Sequence, residues 1–316
     1  RTDQHRRKLY KEPQQGRCRG IIRLINYTYS QKMKKAILII QCKDQKGIVA
    51  SVSEFLYSYQ GNILEIDQHV DQEVGMFFMR VSWELETFGL KREEIEPIFE
   101  AKVGKKFDME FELFFNFRKP RMAVFVSKLS HCLIDILSRH YSGQFDVDIP
   151  VVISNHADHK KVVEAFGIPF HYFAVDKANR MDVEEKQLEL LNHFRTDFVV
   201  LARYMQILSE DFIRNYPNKI INIHHSFLPA FVGAKPYHAA YERGVKIIGA
   251  TAHYVTEELD AGPIIEQEIA RVRHHNSPAD LVQIGQDVEK VVLSKAIKYH
   301  LERKILAYRN KTIIFY

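Results

Sequence analysis

At 316 residues, 46% hydrophobic and 27% charged, the chain has the make-up of one to three ordinary globular domains. It lacks any apolar run near the roughly 20 residues that cross a bilayer, so no membrane span is expected. Its three cysteines (Cys18, Cys42, Cys132) are too few and too scattered for a disulfide framework or a zinc site, and they fit a reducing, cytoplasmic setting. The net charge of +5 is unevenly spread: nine Lys/Arg and two Asp/Glu fall in 1–32, leaving 36 basic against 38 acidic residues in 33–316, a net of −2. A basic arm of this kind suits nucleic acid or a transit segment. Because regular patterning begins only at Ala36, just after Met33, 1–32 is read instead as an irregular basic leader, an upstream translated or added piece. No nucleic-acid partner is assigned to it.

From Ala36 the pattern predicts a strand to Cys42, a turn at Asp44-Gln45-Lys46-Gly47, and a helix carrying Ile48, Val52, Phe55, Leu56 and Tyr59, closed by Gly61-Asn62. Strands near 62–70 and 75–85 follow, with a hairpin signal at 71–73. A helix over 91–103 and a strand from Phe107 to Phe115 complete a β-α-β-β-α-β order in 33–115. The Asp44-x-x-Gly47 turn before the first helix resembles the ACT regulatory domain. That resemblance implies a small effector, usually an amino acid, near Asp44, Gly47 and Asn62, at an interface between two such domains. A homo-oligomer, dimer or tetramer, is expected with it.

Past a polar link at 116–120 the rhythm becomes strand and helix in alternation, the pattern of a doubly wound, mostly parallel, Rossmann-like sheet over 116–316. The predicted elements are strand 121–127, helix 130–141, strand 150–154, helix 158–166, strand 170–175, helix 182–194, strand 198–202 and helix 209–215. The turn Ser127 to Cys132 has no glycine, so it is ill suited to cradle a phosphate, and Ser127 and Ser130 are read as helix caps. Leaving strand 198–202, Tyr204, Met205, Gln206 and Leu208 offer apolar walls and amides to a flat heteroaromatic ligand, with Ile207 assigned to the core. After the loop 233–238 come helix 238–243, strand 246–256, strand 264–272 and one terminal helix over 277–303.

Asn218-Lys219-Ile220-Ile221 leads into a buried strand that ends where the polar residues of Asn222-Ile223-His224-His225-Ser226-Phe227-Leu228-Pro229 begin. Ligands of open α/β sheets bind at such carboxyl ends. Asn222 and His224, two apart, share a face of the strand, so an amide donor and an imidazole converge, as chemistry at a carbonyl requires. A polar strand end with solvated histidines is the alternative. His224 and His225 are neighbours on a strand and should face opposite ways, which, with no metal-binding motif elsewhere, leaves no metal site expected. The Leu228–Pro229 bond is a candidate cis peptide.

Asn222-x-His224, Ser226-x-Leu228-Pro229 and, about forty residues on, Leu259-Asp260-x-Gly262-Pro263 resemble the 10-formyltetrahydrofolate-dependent formyltransferases over roughly 120–300. Leu201 to Gln206, the doubled His224-His225, Gly249 to Tyr254 and the order of the two domains are similar to the formyltetrahydrofolate deformylases among them. Transferase relatives usually carry Pro where His225 stands and a glycine-rich turn where Ser127 to Cys132 stand. The resemblance implies a hydrolase that cleaves 10-formyltetrahydrofolate to formate and tetrahydrofolate, without a cofactor, supplying formate for purine synthesis and balancing the one-carbon pool. The alternative is a formyltransferase with an amine acceptor. By the same resemblance Asn222, His224 and Asp260 form the catalytic group, while Met205, Gln206, Leu208, His253 and Val255 bind the folate.

Overall fold

The computed structural model describes residues 33–176, 178–229 and 236–316 of the chain. Residues 1–32, read above as a basic leader, and residues 177 and 230–235 lie outside the described residues. Two sheets organise the rest. The smaller is antiparallel, in the order β2-β3-β1-β4, built from β1 (Lys35–Lys43), β2 (Ile63–Asp71), β3 (Met76–Glu84) and β4 (Glu110–Phe115). Helices α1 (Ile48–Ser58) and α2 (Arg92–Phe99) cover one face, burying Val52, Phe55, Leu56, Ile95 and Phe99 against Leu38, Ile40, Met79 and Val81. This is the split βαβ arrangement expected of an ACT-like unit.

One boundary differs from expectation. Phe107 closes a helical stretch, because α2 continues through a π-turn (Glu100–Gly104) into Lys105–Phe107, and β4 starts three residues later. Asp108 adopts the left-handed conformation (φ 52°) and Met109 N bonds back to Gly104 O (3.0 Å), which stops the helix there.

The larger sheet has the order β11-β10-β9-β8-β5-β6-β7. Its strands are β5 (Arg121–Val126), β6 (Asp148–Ser154), β7 (Phe170–Tyr172), β8 (Phe198–Ala202), β9 (Ile220–His224), β10 (Ile247–Tyr254) and β11 (Ile264–Arg271). Neighbours from β7 to β9 run parallel, and β10 and β11 are added antiparallel. Near-continuous apolar runs such as Phe198–Ala202 are buried on both faces, as a sheet covered by helices demands. Helices α3 (His131–Tyr141) and α8 (Pro278–Leu301) pack on one face, and α5 (Arg180–His193) and α6 (Glu210–Arg214) on the other. The short α4 (Lys160–Ala165) and α7 (Pro236–Arg243) complete the set. Among the described residues no helix is long and apolar enough to cross a membrane.

The terminal helix is followed by a hairpin that the sequence pattern did not announce, β12 (Ile305–Tyr308) and β13 (Lys311–Ile314). Its Leu306 and Phe315 pack on Ile37, Ile39 and Phe78, the face of the small sheet opposite α1 and α2. The two halves are also tied by Arg80 of β3. Only 2% exposed, it donates to Arg303 O (2.8 Å) and Glu302 O (3.1 Å) just past the end of α8 and pairs with Glu65 (2.8 Å). A guanidinium here satisfies carbonyls that a helix end leaves without partners.

Candidate active site

β9 ends at His224, and its pairing with β10 places His253 opposite Asn222 and Thr251 opposite His224. The turn after β10 then folds back, so that Tyr254 N bonds to Pro263 O (2.9 Å). Only glycine fits at 262, where a Cβ would stand 1.8 Å from Tyr254 O. The turn carries Asp260 in a left-handed conformation (φ 54°), which a short polar side chain tolerates. Asp260 thereby reaches the strand ends: Oδ2 lies 3.2 Å from His224 Nδ1 and Oδ1 lies 3.6 Å from His253 Nε2. Asn222, His224 and Asp260, some forty residues apart at the extremes, meet at one cavity.

The hydrogen bonds orient each group. His253 Nδ1 is 2.9 Å from Tyr254 O, so that nitrogen carries a proton. In the neutral ring Nε2 is then an acceptor, and Asn222 Nδ2 donates to it at 3.2 Å. The Asn222 amide nitrogen is therefore the end held in place, and its second hydrogen is available to the cavity. Hydrogen bonding to His224 is the largest influence on the Asp260 carboxyl and holds it well below the usual carboxylate range, against the upward push of partial burial. An ionised Asp260 makes His224 Nδ1 a donor. That leaves His224 Nε2, buried and without a hydrogen-bond partner among the described residues, on the cavity wall.

The cavity, about 310 Å³, is lined on its apolar side by Met205, Ile207, Leu208, Val255 and Leu259, with Gln206 and His253 also on its wall. Every residue expected to hold a flat ring is thus placed there. Ile207 is a correction: it is 58% exposed and lines the cavity, because the segment leaving β8 turns outward at Arg203 (φ 64°) and keeps the side chain out of the core. His225 is another. The strand ends at His224, the backbone bends, and the two imidazoles stack with centroids 5.0 Å apart and planes at 23°. Leu228–Pro229 is cis, as anticipated.

Other residues of the site escaped sequence reasoning. Thr251, fully buried, accepts from Leu228 N (3.0 Å) and Gln267 Nε2 (2.9 Å) and donates to Ser226 O (2.9 Å), pinning the loop beyond His224. Ser127 is no helix cap. Its Oγ donates to Asn155 Oδ1 (2.7 Å) and accepts from Met205 N (2.9 Å), and Ser130 makes no side-chain cap either. Glu289 of α8, 1% exposed, accepts from Tyr237 OH (2.7 Å) and lies 2.8 Å from His131 Nε2. Arg203 Nε is 3.4 Å from Glu289 Oε2, an ion-pair distance without hydrogen-bond geometry. Burial raises the Glu289 pKa, but His131, Arg203 and Tyr237 outweigh it and the net shift is downward. These partnerships have no local pattern; only contact across the fold reveals them.

Among the described residues His131, Cys132 and Glu289 bring ligand atoms within 4.8 Å of one another. The chemistry of this set favours protein partners over a metal: both Glu289 oxygens are engaged, Arg203 already supplies the positive charge, and burial raises the Cys132 thiol far above its ordinary value.

Asp44, Gly47 and Asn62, the expected effector residues, are not brought together within one chain. Asp44 and Gly47 precede α1 and Asn62 follows it, and an 11-residue helix spans about 16 Å.

Residues 120–297 match the formyl transferase family and residues 36–88 match the ACT domain. The formyltetrahydrofolate deformylase of Synechocystis sp. is 49% identical over 280 residues, which make up 89% of this chain and 98% of that one. The chain belongs to the formyltetrahydrofolate deformylase family. A crystal structure of a formyltetrahydrofolate deformylase from Pseudomonas syringae pv. tomato superposes with a TM-score of 0.87 at 44% identity, over 94% of this chain and 99% of that one. Glycinamide ribonucleotide transformylase 1 from Symbiobacterium toebii reaches 0.60 at 30% identity over 65% of this chain and 98% of that one. The deformylase family is thus matched across both sheets, and the transformylase covers a smaller share of the chain.

Proposed function

We propose that this member of the deformylase family hydrolyses 10-formyltetrahydrofolate to formate and tetrahydrofolate, with Asn222, His224 and Asp260 as its catalytic residues. The observation that carries the reading is His224 Nε2, a buried nitrogen with no partner among the described residues, beside an oriented Asn222 amide and backed by a carboxylate. The pterin lies among Met205, Gln206, Leu208, His253 and Val255, in a cavity of about 310 Å³ that admits one end of a folate. Water adds to the formyl carbon while Nε2 of His224 takes one of its protons. Asn222 Nδ2–H donates to the oxyanion, a kind of contact worth about 2.7–4 kcal/mol of barrier. Asp260 stabilises the resulting imidazolium, which returns the proton to N10 as the C–N10 bond breaks. Formate leaves, ionised, and the scheme uses no cofactor.

The deciding experiment gives pure protein 10-formyltetrahydrofolate and no amine. Steady formate release supports hydrolysis; turnover strictly dependent on an added amine supports a formyltransferase and sinks this reading. In the same proposal the small sheet binds an amino-acid effector between two copies of the chain, and the formate produced feeds purine synthesis.

A further inference from the structure

The strand order of the larger sheet reverses at β5: β6 and β7 lie on one side, β8 to β11 on the other. In such sheets the crevice at the carboxyl ends of the two central strands, here β5 and β8, is where ligands seat. In this chain that crevice is filled by its own side chains. Arg203 enters from the end of β8, His131 from the start of α3 after β5, and Glu289 from α8. Tyr237 seals it from α7, its ring lying so close to α8 that a Cβ on Gly285 would stand 2.2 Å from it. The turn itself is fastened on both sides. Ser127 N bonds to Arg203 O (3.2 Å), Ser127 Oγ to Met205 N and Asn155, and His159 Nε2 to Ser127 O (3.0 Å). Of this network Arg203 also lines the catalytic cavity, beside His225, whose ring centroid is 6.4 Å from that of Tyr237.

We infer that the His131–Glu289–Arg203–Tyr237 network is a plug in the place where a formyltransferase would hold its amine, and that it makes water the acceptor. The inference rests on the hydrolase reading above. It follows from the division of the site: the apolar wall lies on the β8–β10 side, whereas the β5–β8 crevice beside His224 is occupied by an ion-paired, hydrogen-bonded cluster with Glu289 1% exposed. A carboxylate with three partners in so little solvent does not give way to a neutral amine. Removing one partner leaves the rest unpaired, which the protein resists. Water, needing no recess of its own, reaches the formyl carbon from the cavity. If an amine entered instead, its nitrogen would bond to the formyl carbon and the C–N10 bond would break. The proton lost by the amine would pass to N10, leaving an N-formyl amine and tetrahydrofolate.

The test uses the full chain, 10-formyltetrahydrofolate labelled with carbon-13 in the formyl group, and excess glycinamide, with formate and N-formylglycinamide counted by NMR. Three proteins are compared: the unaltered chain, His131→Ala, and His131→Ala/Tyr237→Ala. Neither residue lines the cavity, and both substitutions leave the Glu289–Arg203 pair in place. The expected result is formate from the unaltered chain and a partition toward N-formylglycinamide that rises about 10–200-fold in the altered ones, the span that steric selection in a pocket commands. Where the double variant does not fold, His131→Ala alone is read. An unchanged partition, or loss of hydrolysis with no formylated amine, overturns the plug. Absence of formate from the unaltered chain without amine would instead strike the hydrolase reading itself.

Discussion

The fold gives Asp260 an environment that its turn in the sequence does not announce. The residue sits on a solvent-side turn in the sequence, yet its carboxylate is fixed against two imidazoles. Replacing it with asparagine keeps the shape and removes the charge that sustains a His224 imidazolium. Asp260→Asn should lower kcat by about 10²–10⁴-fold while folate affinity, followed by fluorescence titration, changes little. A variant with full turnover would remove Asp260 from the catalytic group. Thr251 acts at one remove. It does not line the cavity but holds Leu228 N and Ser226 O by two hydrogen bonds and accepts a third from Gln267. Thr251→Val is near-isosteric and leaves buried donors unmet, at about 1–3 kcal/mol. We expect a lower melting temperature and, because the loop past His224 loses its fastening, a fall in kcat larger than the change in KM.

Two elements join the halves of the molecule, and both are legible only in space. The β12–β13 hairpin gives the small sheet its second cover, with Phe315 1% exposed against Ile37, Ile39 and Phe78. Phe315→Ala should destabilise the protein by about 3–5 kcal/mol in urea unfolding, the usual cost of emptying a buried aromatic site; a change near zero would mean that the hairpin does not hold the sheet. The other element is the end of α8. Arg80 binds its terminal carbonyls, and one turn back His300 Nδ1 lies 2.8 Å from Tyr254 OH in the strand that carries His253. The helix therefore contacts both the small sheet and the strand behind the proposed catalytic residues, besides supplying Glu289.

One part of the molecule's pH response comes from His300. Burial, then the nearby Arg303 and Lys219, brings its pKa down from 6.5 to about 3. Between those values the unfolded chain binds a proton that the folded one refuses. The contribution to stability is therefore complete above pH 6.5 and shrinks as pH falls toward 3, by at most about 1.4 kcal/mol per pH unit. Asp260, shifted downward, adds a loss of the same sign, beginning only below its ordinary 3.8. Melting temperature should thus drop between pH 7 and 5, and His300→Asn should flatten that slope; an equal slope in the variant would assign the effect elsewhere. In the proposed effector site, assembly enters through the small sheet. Since Asp44 and Gly47 lie at one end of α1 and Asn62 at the other, a single effector gripping all three needs two chains. Any amino-acid effect on formate release should disappear on dilution to the monomer, checked by sedimentation alongside the assay.

Periodicity and composition carry everything that depends on neighbours in the chain. The β-α-β-β-α-β order, the alternation of strands and helices, and the shared face of Asn222 and His224 are consequences of repeats of 2 and 3.6 residues, which need no knowledge of distant segments. Resemblance to the formyltransferases added Asp260, and the local mixture of apolar and amide groups marked 204–208 as the expected wall for a flat ring. What could not be read locally are partnerships. His225 stacks on His224 because the strand stops between them; Ile207 faces solvent because Arg203 turns the chain; Ser127 fastens Met205 instead of capping a helix; Glu289 finds His131 across 158 residues. Each depends on which elements the core packing brings side by side, a long-range outcome that no short window of sequence encodes.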